Sequence, residues 1–178
     1  MFVGLDLSFT RSGVSLFIPS INLLKITSIK HNPTGKDFPS LFSRSLDISS
    51  SLCSLIRSFN PSFLSISFES PIPRSSFSPG LFLLDGLIIR DLFSLPYQIS
   101  ICTFHPTYIM HIHGRRGYTK ADTVLLSQQL LSNLPQSIEK DFKKINHDEA
   151  DSFLFLCGLL AHKKGNVFNL QNFSRFID

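Results

Sequence analysis

The feature that most constrains the fold is a change of hydrophobic period near residue 38. Before it, three short apolar runs, Phe2 to Ser8, Val14 to Ile18 and Leu23 to Ile29, are separated by turns at Arg11-Ser12-Gly13 and at Pro19 to Asn22. Short strands with short connections predict an antiparallel meander. After the His31 to Asp37 loop, Phe38, Leu41, Phe42, Leu52, Leu55, Ile56 and Phe59 fall mostly on one helical stripe, which Leu46 and Ile48 widen. Asn60-Pro61 ends that helix, because the residue before a proline is pushed out of the helical region. Phe63 to Phe68 reads as a strand again, and a helix between strands implies a crossover with parallel pairing.

The same reading continues along the chain. An irregular connection with Pro71, Pro73 and Pro79 leads to an apolar helix over Leu81 to Leu95, and Tyr97 to Phe104 is a fifth strand. His105 to Tyr118 reads as a basic, glycine-containing loop, Lys120 to Leu134 as a helix, and Pro135 to Ile145 as a polar connector. A last helix runs from near Asn146 to His162, stopped by Gly165. The order β-β-β-α-β-α-β-α-α predicts an α/β fold with a five-stranded mixed sheet, three antiparallel strands then two parallel, flanked by helices on both faces.

The 178 residues suit one domain spanning 1-178. Charged residues are only 17% of the chain, so each charge in an apolar setting needs an explanation. The formal net charge of +4 suits a polyanionic partner without requiring one. Cys53, Cys102 and Cys157 lie far apart in apolar runs and show neither zinc spacing nor a disulfide framework, as expected of buried thiols in a reducing compartment. Asp6 interrupts the first apolar stretch, which argues against a signal peptide. The longest apolar run, Phe153 to Ala161, is far short of the roughly 20 residues a membrane-spanning helix needs. A soluble, cytoplasmic protein with no membrane partner is expected.

Four acids stand out. Strand alternation puts Asp6 on one face with Phe2 and Gly4, in a setting where an ionised carboxylate is expensive unless paired. Glu69 follows Leu64-Ser65-Ile66-Ser67-Phe68, also at the C-terminal end of an apolar strand, where ligands gather in sheets with parallel strands. Asp148 and Asp151 are three apart on a helix and share a face. A purely structural account competes at each position. Asp6 and Glu69 would simply end strands, and Asn146 with Glu149 would form a variant capping box that also suits Asp148 at the positive helix end. Asp151, just before Phe153-Leu154-Phe155-Leu156, fits that account least. Four acids converging on Mg²⁺ or Mn²⁺, hard cations that prefer oxygen ligands, is the single explanation that covers all of them.

In their order the motifs resemble the RuvC family of Holliday junction resolvases, within the ribonuclease H-like superfamily, over essentially the whole chain. Gly4-Leu5-Asp6-Leu7-Ser8 with Gly13 is similar to the family's first strand and turn. Phe68-Glu69 is similar to its second acid, and Asp148-Glu149-Ala150-Asp151 to its D-x-x-D-A ending. His105-Pro106-Thr107 with Gly114, Gly117 and Lys120 resembles its P-x-x-V-K…G-x-G-x-x-K stretch, and Leu84-Asp85-Gly86-Leu87-Ile88 its small-residue helix at the dimer interface. The composition and the divergence from the family suggest a bacteriophage or divergent bacterial member, acting in the host or bacterial cytoplasm. It implies a homodimeric endonuclease that resolves four-way DNA junctions by paired symmetric nicks, with two Mg²⁺ or Mn²⁺ ions per subunit. Asp6 would bridge the ions, Glu69, Asp148 and Asp151 would complete the site, and Lys120 would hold or polarise the scissile phosphate.

The chain departs from the family after the second acid. Ser70-Pro71-Ile72-Pro73-Arg74 stands where an aromatic wedge is common, and the nearest aromatic is Phe77, a wedge or a core residue. His111 and His113 replace the usual lysines, which leaves the cleavage sequence preference open. Arg74, Arg115, Arg116 and Lys120 are candidates for phosphate contacts, with Lys143, Lys144, Lys163 and Lys164 weaker ones. His147 beside Asp148 reads as a plain surface histidine. Competing readings are a ribonuclease H-like nuclease acting on other branched DNA or RNA–DNA hybrid, and a non-catalytic DNA-binding module of the same fold.

Overall fold

The computed structural model describes residues 1–32, 35, 37–70, 78–105, 107–114 and 116–165, with the backbone alone at 78 and 79. Strands β1 (Phe2–Asp6), β2 (Arg11–Ile18) and β3 (Leu23–Lys30) form the antiparallel meander. Helix α1 (Phe38–Arg57) crosses over to β4 (Phe63–Glu69), which pairs parallel to β1, and α2 (Ser78–Phe93) leads to β5 (Gln98–Phe104), parallel to β4. Then come α3 (Tyr108–His113), α4 (Lys120–Ser132), β6 (Glu139–Asp141) and α5 (His147–Lys163). The sheet order is β5-β4-β1-β2-β3-β6.

Three local readings differ from the sequence expectation. Arg11-Ser12-Gly13 is not a turn but the start of β2. The turn lies earlier because Ser8 and Ser12 close it: Ser8 Oγ donates to the Arg11 carbonyl at 2.7 Å, and Ser12 Oγ donates to the Ser8 carbonyl at 2.9 Å. The expected loop after His105 contains α3, whose Ile109 and Ile112 are buried. The Tyr108 ring stacks on Phe104 at 4.2 Å and on Phe155 at 6.0 Å, and Gly114 ends the helix in the left-handed region (φ 65°). The polar connector contains a sixth strand, β6, which pairs parallel to β3 and is tied to it by a Lys25–Asp141 ion pair.

Alternation along β1 sorts its side chains into two cores. Val3 and Leu5 join Val14, Leu16, Ile66 and Phe68 under α1 and α2. Phe2 lies on the opposite face with Phe17, Leu24 and Ile26, under α5 and α4. Helix α5 is buried nearly all round from Ser152 to Ala161, since the sheet covers one side and α4 another. Among the described residues no helix is long and apolar enough to cross a membrane. Cys53 and Cys157 are buried free thiols, and Cys102 is half-buried.

Candidate active site

Two glycines decide how closely α5 approaches the sheet. A Cβ at Gly4 would overlap the Ser152 carbonyl oxygen and the Leu156 nitrogen, and one at Gly13 would overlap the Asp148 carbonyl. Their bare backbones therefore let the helix rest on β1 and β2. Serines fix it there: Ser15 Oγ lies 2.8 Å from Ser152 Oγ, and Ser67 Oγ donates to the Phe155 carbonyl at 2.9 Å. The expected capping box is present. Asn146 Oδ1 accepts from the Asp148 and Glu149 amides, and Glu149 accepts from the Asn146 amide. This box sets where α5 starts, and with it the placement of Asp148 and Asp151.

The same seating sets the four acids within electrostatic reach of one another. Asp6 pairs with Gly13 across β1–β2. In the parallel pair, Gly4 is opposite Ser67 and Leu5 opposite Phe68, so one further step along that register sets Asp6 beside Glu69 on the face that carries α5. Asp6 is half-buried, and the atoms packed around its carboxyl push it well above the usual range, with Asp151, Asp148 and Glu69 adding to the shift and Lys120 opposing it. Burial likewise pushes Asp151 up to about 7, against Lys120 and with Asp148 and Glu69. Glu69 keeps open surface at the strand end, yet the atoms packed around it still raise its pKa. Asp148 has nitrogen partners of its own: His147 Nε2 is 2.9 Å from Oδ1 and Arg11 Nε is 3.9 Å from Oδ2. His147 is thus engaged with the acid beside it rather than being a plain surface residue.

Lys120 is exposed at the first position of α4, behind the Thr119–Asp122 capping box, and its charge reaches Asp6 and Asp151. Arg116 is exposed in the α3–α4 connection between Gly114 and Gly117. Arg74, Phe77 and Arg115 lie outside the described residues. His111 Nδ1 faces the Thr107 carbonyl at 2.8 Å and His113 Nε2 faces Thr123 Oγ1 at 3.2 Å.

Three residues join the site without having been singled out in the sequence. Arg11 reaches Asp148 because it begins β2. Tyr118 is stacked on His113 at 4.5 Å, and desolvation, followed by the charges of Asp151 and Glu69, raises its pKa. Asp85 on α2 is buried, and burial followed by the charge of Glu69 pushes it up to about 7. The sequence did carry a signal for Asp85, as the one acid between Leu81 and Ile89. Nothing local marks Tyr118.

Among the described residues no three His, Cys, Asp or Glu side chains close on a point that could hold a metal ion. The acids are within electrostatic reach of one another without being drawn together. Their chemistry nonetheless fits a hard divalent cation: all donors are carboxylate oxygens, and desolvation first, then mutual repulsion, raises Asp6 and Asp151.

The fold is that of the RuvC resolvases. The Thermus thermophilus RuvC structure in complex with a Holliday junction substrate superposes with a TM-score of 0.61 at 13% identity, over 94% of this chain and 98% of that one. A second T. thermophilus RuvC structure gives 0.59 at 12% identity over the same shares of each chain. The yeast mitochondrial Holliday junction resolvase gives 0.54 at 17% identity, over 99% of this chain and 82% of its own. No protein-family model and no curated protein sequence matches the chain.

Proposed function

We propose that this protein is a structure-specific DNA endonuclease that resolves four-way junctions by paired, symmetric nicks. The observation that carries the reading is the gathering of Asp6, Glu69, Asp148 and Asp151, with Lys120 alongside, where β1 and β4 end beneath α5. Structures of the same fold are junction resolvases, one of them holding a Holliday junction.

Asp6, Glu69, Asp148 and Asp151 would hold Mg²⁺ or Mn²⁺, two ions per subunit, which when bound lower the pKa of water and offset charge on the leaving 3′ oxygen. Lys120 would bind a non-bridging oxygen of the scissile phosphate, a role supported by the reach of its charge to Asp6 and Asp151. Arg116 on its exposed connection, and Arg74 and Arg115, would contact the backbone of the arms and fix register without reading sequence. Phe77 would be the wedge that parts the strands at the branch. A homodimer would present two such sites related by a two-fold axis, matching the near two-fold symmetry of a four-way junction.

The test is incubation of the purified protein with a mobile four-way junction, with and without Mg²⁺, mapping both nicks. Symmetric nicks with 5′-phosphate ends that require the cation are expected. Faster cleavage of RNA–DNA hybrid or flap DNA would redirect the substrate assignment. Junction binding with no cleavage under Mg²⁺ or Mn²⁺ would leave a binding module instead.

A further inference from the structure

We infer that Arg11 and Lys30 form a binding site for a backbone phosphate of DNA, on the β2–β3 flank of the acidic centre. The inference rests on the nuclease reading above and adds where the substrate strand runs past it. The two residues are directly opposite each other in the β2–β3 register. Their neighbours fix the face they share. Gly13, two positions after Arg11 on β2, lies beneath the Asp148 carbonyl, and Leu24 and Ile26, at even spacing from Lys30 on β3, belong to the core under α5 and α4. Strand alternation therefore puts both cations on the face that carries α5. Asp6 is opposite Gly13, so the pair stands one pleat beyond the first acid. Strand spacing and rise put the Cα of Arg11 about 8 Å and that of Lys30 about 12 Å from the Cα of Asp6. Both side chains are long enough to meet a phosphate beside one held at the acids.

Like charges directly opposite on one face of a sheet repel. Among the described residues little offsets this pair. Lys30 is exposed, and its side chain makes no hydrogen bond or ion pair with a described residue. Arg11 is half-exposed, and its ion-pair partner is Asp148 at 3.9 Å, beyond hydrogen-bonding distance, while His147 holds the other oxygen of that carboxylate at 2.9 Å. With Asp148 turned to a cation, the pair keeps no counter-charge. A phosphodiester between them supplies it, and a guanidinium with an ammonium matches its two free oxygens. The flank stays basic further along β3, where a cleft of about 410 Å³ is lined by Lys140, Lys143 and Lys144. The acids that line it, Asp141 and Glu149, are already engaged by Lys25 and by the Asn146 amide. A polyanionic strand passing the pair in this direction meets cations rather than free carboxylates.

The experiment is a fluorescence-anisotropy titration of a synthetic four-way junction with the purified full chain, in chelator, over a range of salt. It compares wild type, Arg11→Gln, Lys30→Gln and the double variant. Arg57→Gln removes the same charge from the exposed end of α1, where the chain approaches the start of β4 rather than its end, and controls for net charge. Each variant of the pair is expected to bind more weakly and to lower the slope of log affinity against log salt by about 1, and the double variant by about 2. Arg57→Gln is expected to keep the wild-type slope. Lys30→Gln is also expected to melt no lower than wild type, because it relieves the cross-strand repulsion. A merely structural lysine would melt lower and leave the slope alone, which overturns the inference. Should Arg11→Gln fail to fold, Lys30→Gln carries the test. Wild-type slopes in both single variants, or an equal loss in Arg57→Gln, overturn the phosphate site and leave the nuclease reading standing. Failure of the wild type to bind the junction overturns that reading together with the inference.

Discussion

Asp6 and Gly13 face each other across β1 and β2, and the space a side chain at Gly13 would fill is taken by the backbone carbonyl of Asp148. The first acid and the third are therefore linked through a missing side chain. Gly13→Ala and Gly4→Ala should each lift α5 off the sheet. Overpacking usually costs about 1 to 3 kcal/mol, and contact with rigid backbone puts both at the upper end or beyond. Urea unfolding of either variant reads this directly, and wild-type stability would show that the helix adjusts freely.

Asp6→Asn removes the acid on which the other three and Lys120 all act. Junction cleavage should fall at least about a hundredfold, the equivalent of a few kcal/mol of lost transition-state stabilisation. Junction binding should persist in a gel-shift assay. A variant that cuts at the normal rate would remove Asp6 from the chemistry.

Metal-free stability should depend on pH in a defined sense. Asp151 and Asp85 are both pushed up to about 7 in the folded protein, whereas an unfolded Asp titrates near 3.9. Between these values the folded chain binds more protons than the unfolded one, so stability falls as pH rises through the window and levels off above it. In chelator, the melting temperature should be higher near pH 5.5 than near pH 8. The opposite trend would mean that these acids are not held in a repulsive cluster.

Lys120 and Arg116 should separate by assay. Lys120 offsets the charge of Asp6 and Asp151, so Lys120→Ala should lower both the cleavage rate and the metal-free melting temperature. Arg116 is exposed on its connection, so Arg116→Ala should weaken junction binding evenly across sequences and reduce the salt slope by about 1. An unchanged slope would place Arg116 off the DNA.

Much of this was legible in the sequence, for identifiable reasons. The meander, the α1 crossover and the α5 cap are written in local periodicity and in Asn146 with Glu149, and the structure keeps all three. Asp6, Glu69 and Asp151 stand out because charge is scarce and these positions abut apolar runs, Asp148 shares the helix face of Asp151, and Lys120 is marked only by the family resemblance. By contrast, β6 consists of three exposed charged residues and is a strand only because β3 offers it an edge. Helix α3 depends on burying Ile109 and Ile112 beneath distant elements. Asp85 is readable as an oddity, but its burial and the influence of Glu69's charge on it arise from tertiary packing that no local pattern encodes.

That three-residue strand has a bearing on solution behaviour. Without Glu139-Lys140-Asp141, the last strand of the meander would offer its Leu23-Leu24-Lys25 backbone as an open template for a neighbouring molecule. A short charged ribbon bound along it is a poor template in its turn, because like molecules repel there and offer little length to pair. The segment that contributes nothing to the acidic centre thereby guards the chain against self-association through its sheet.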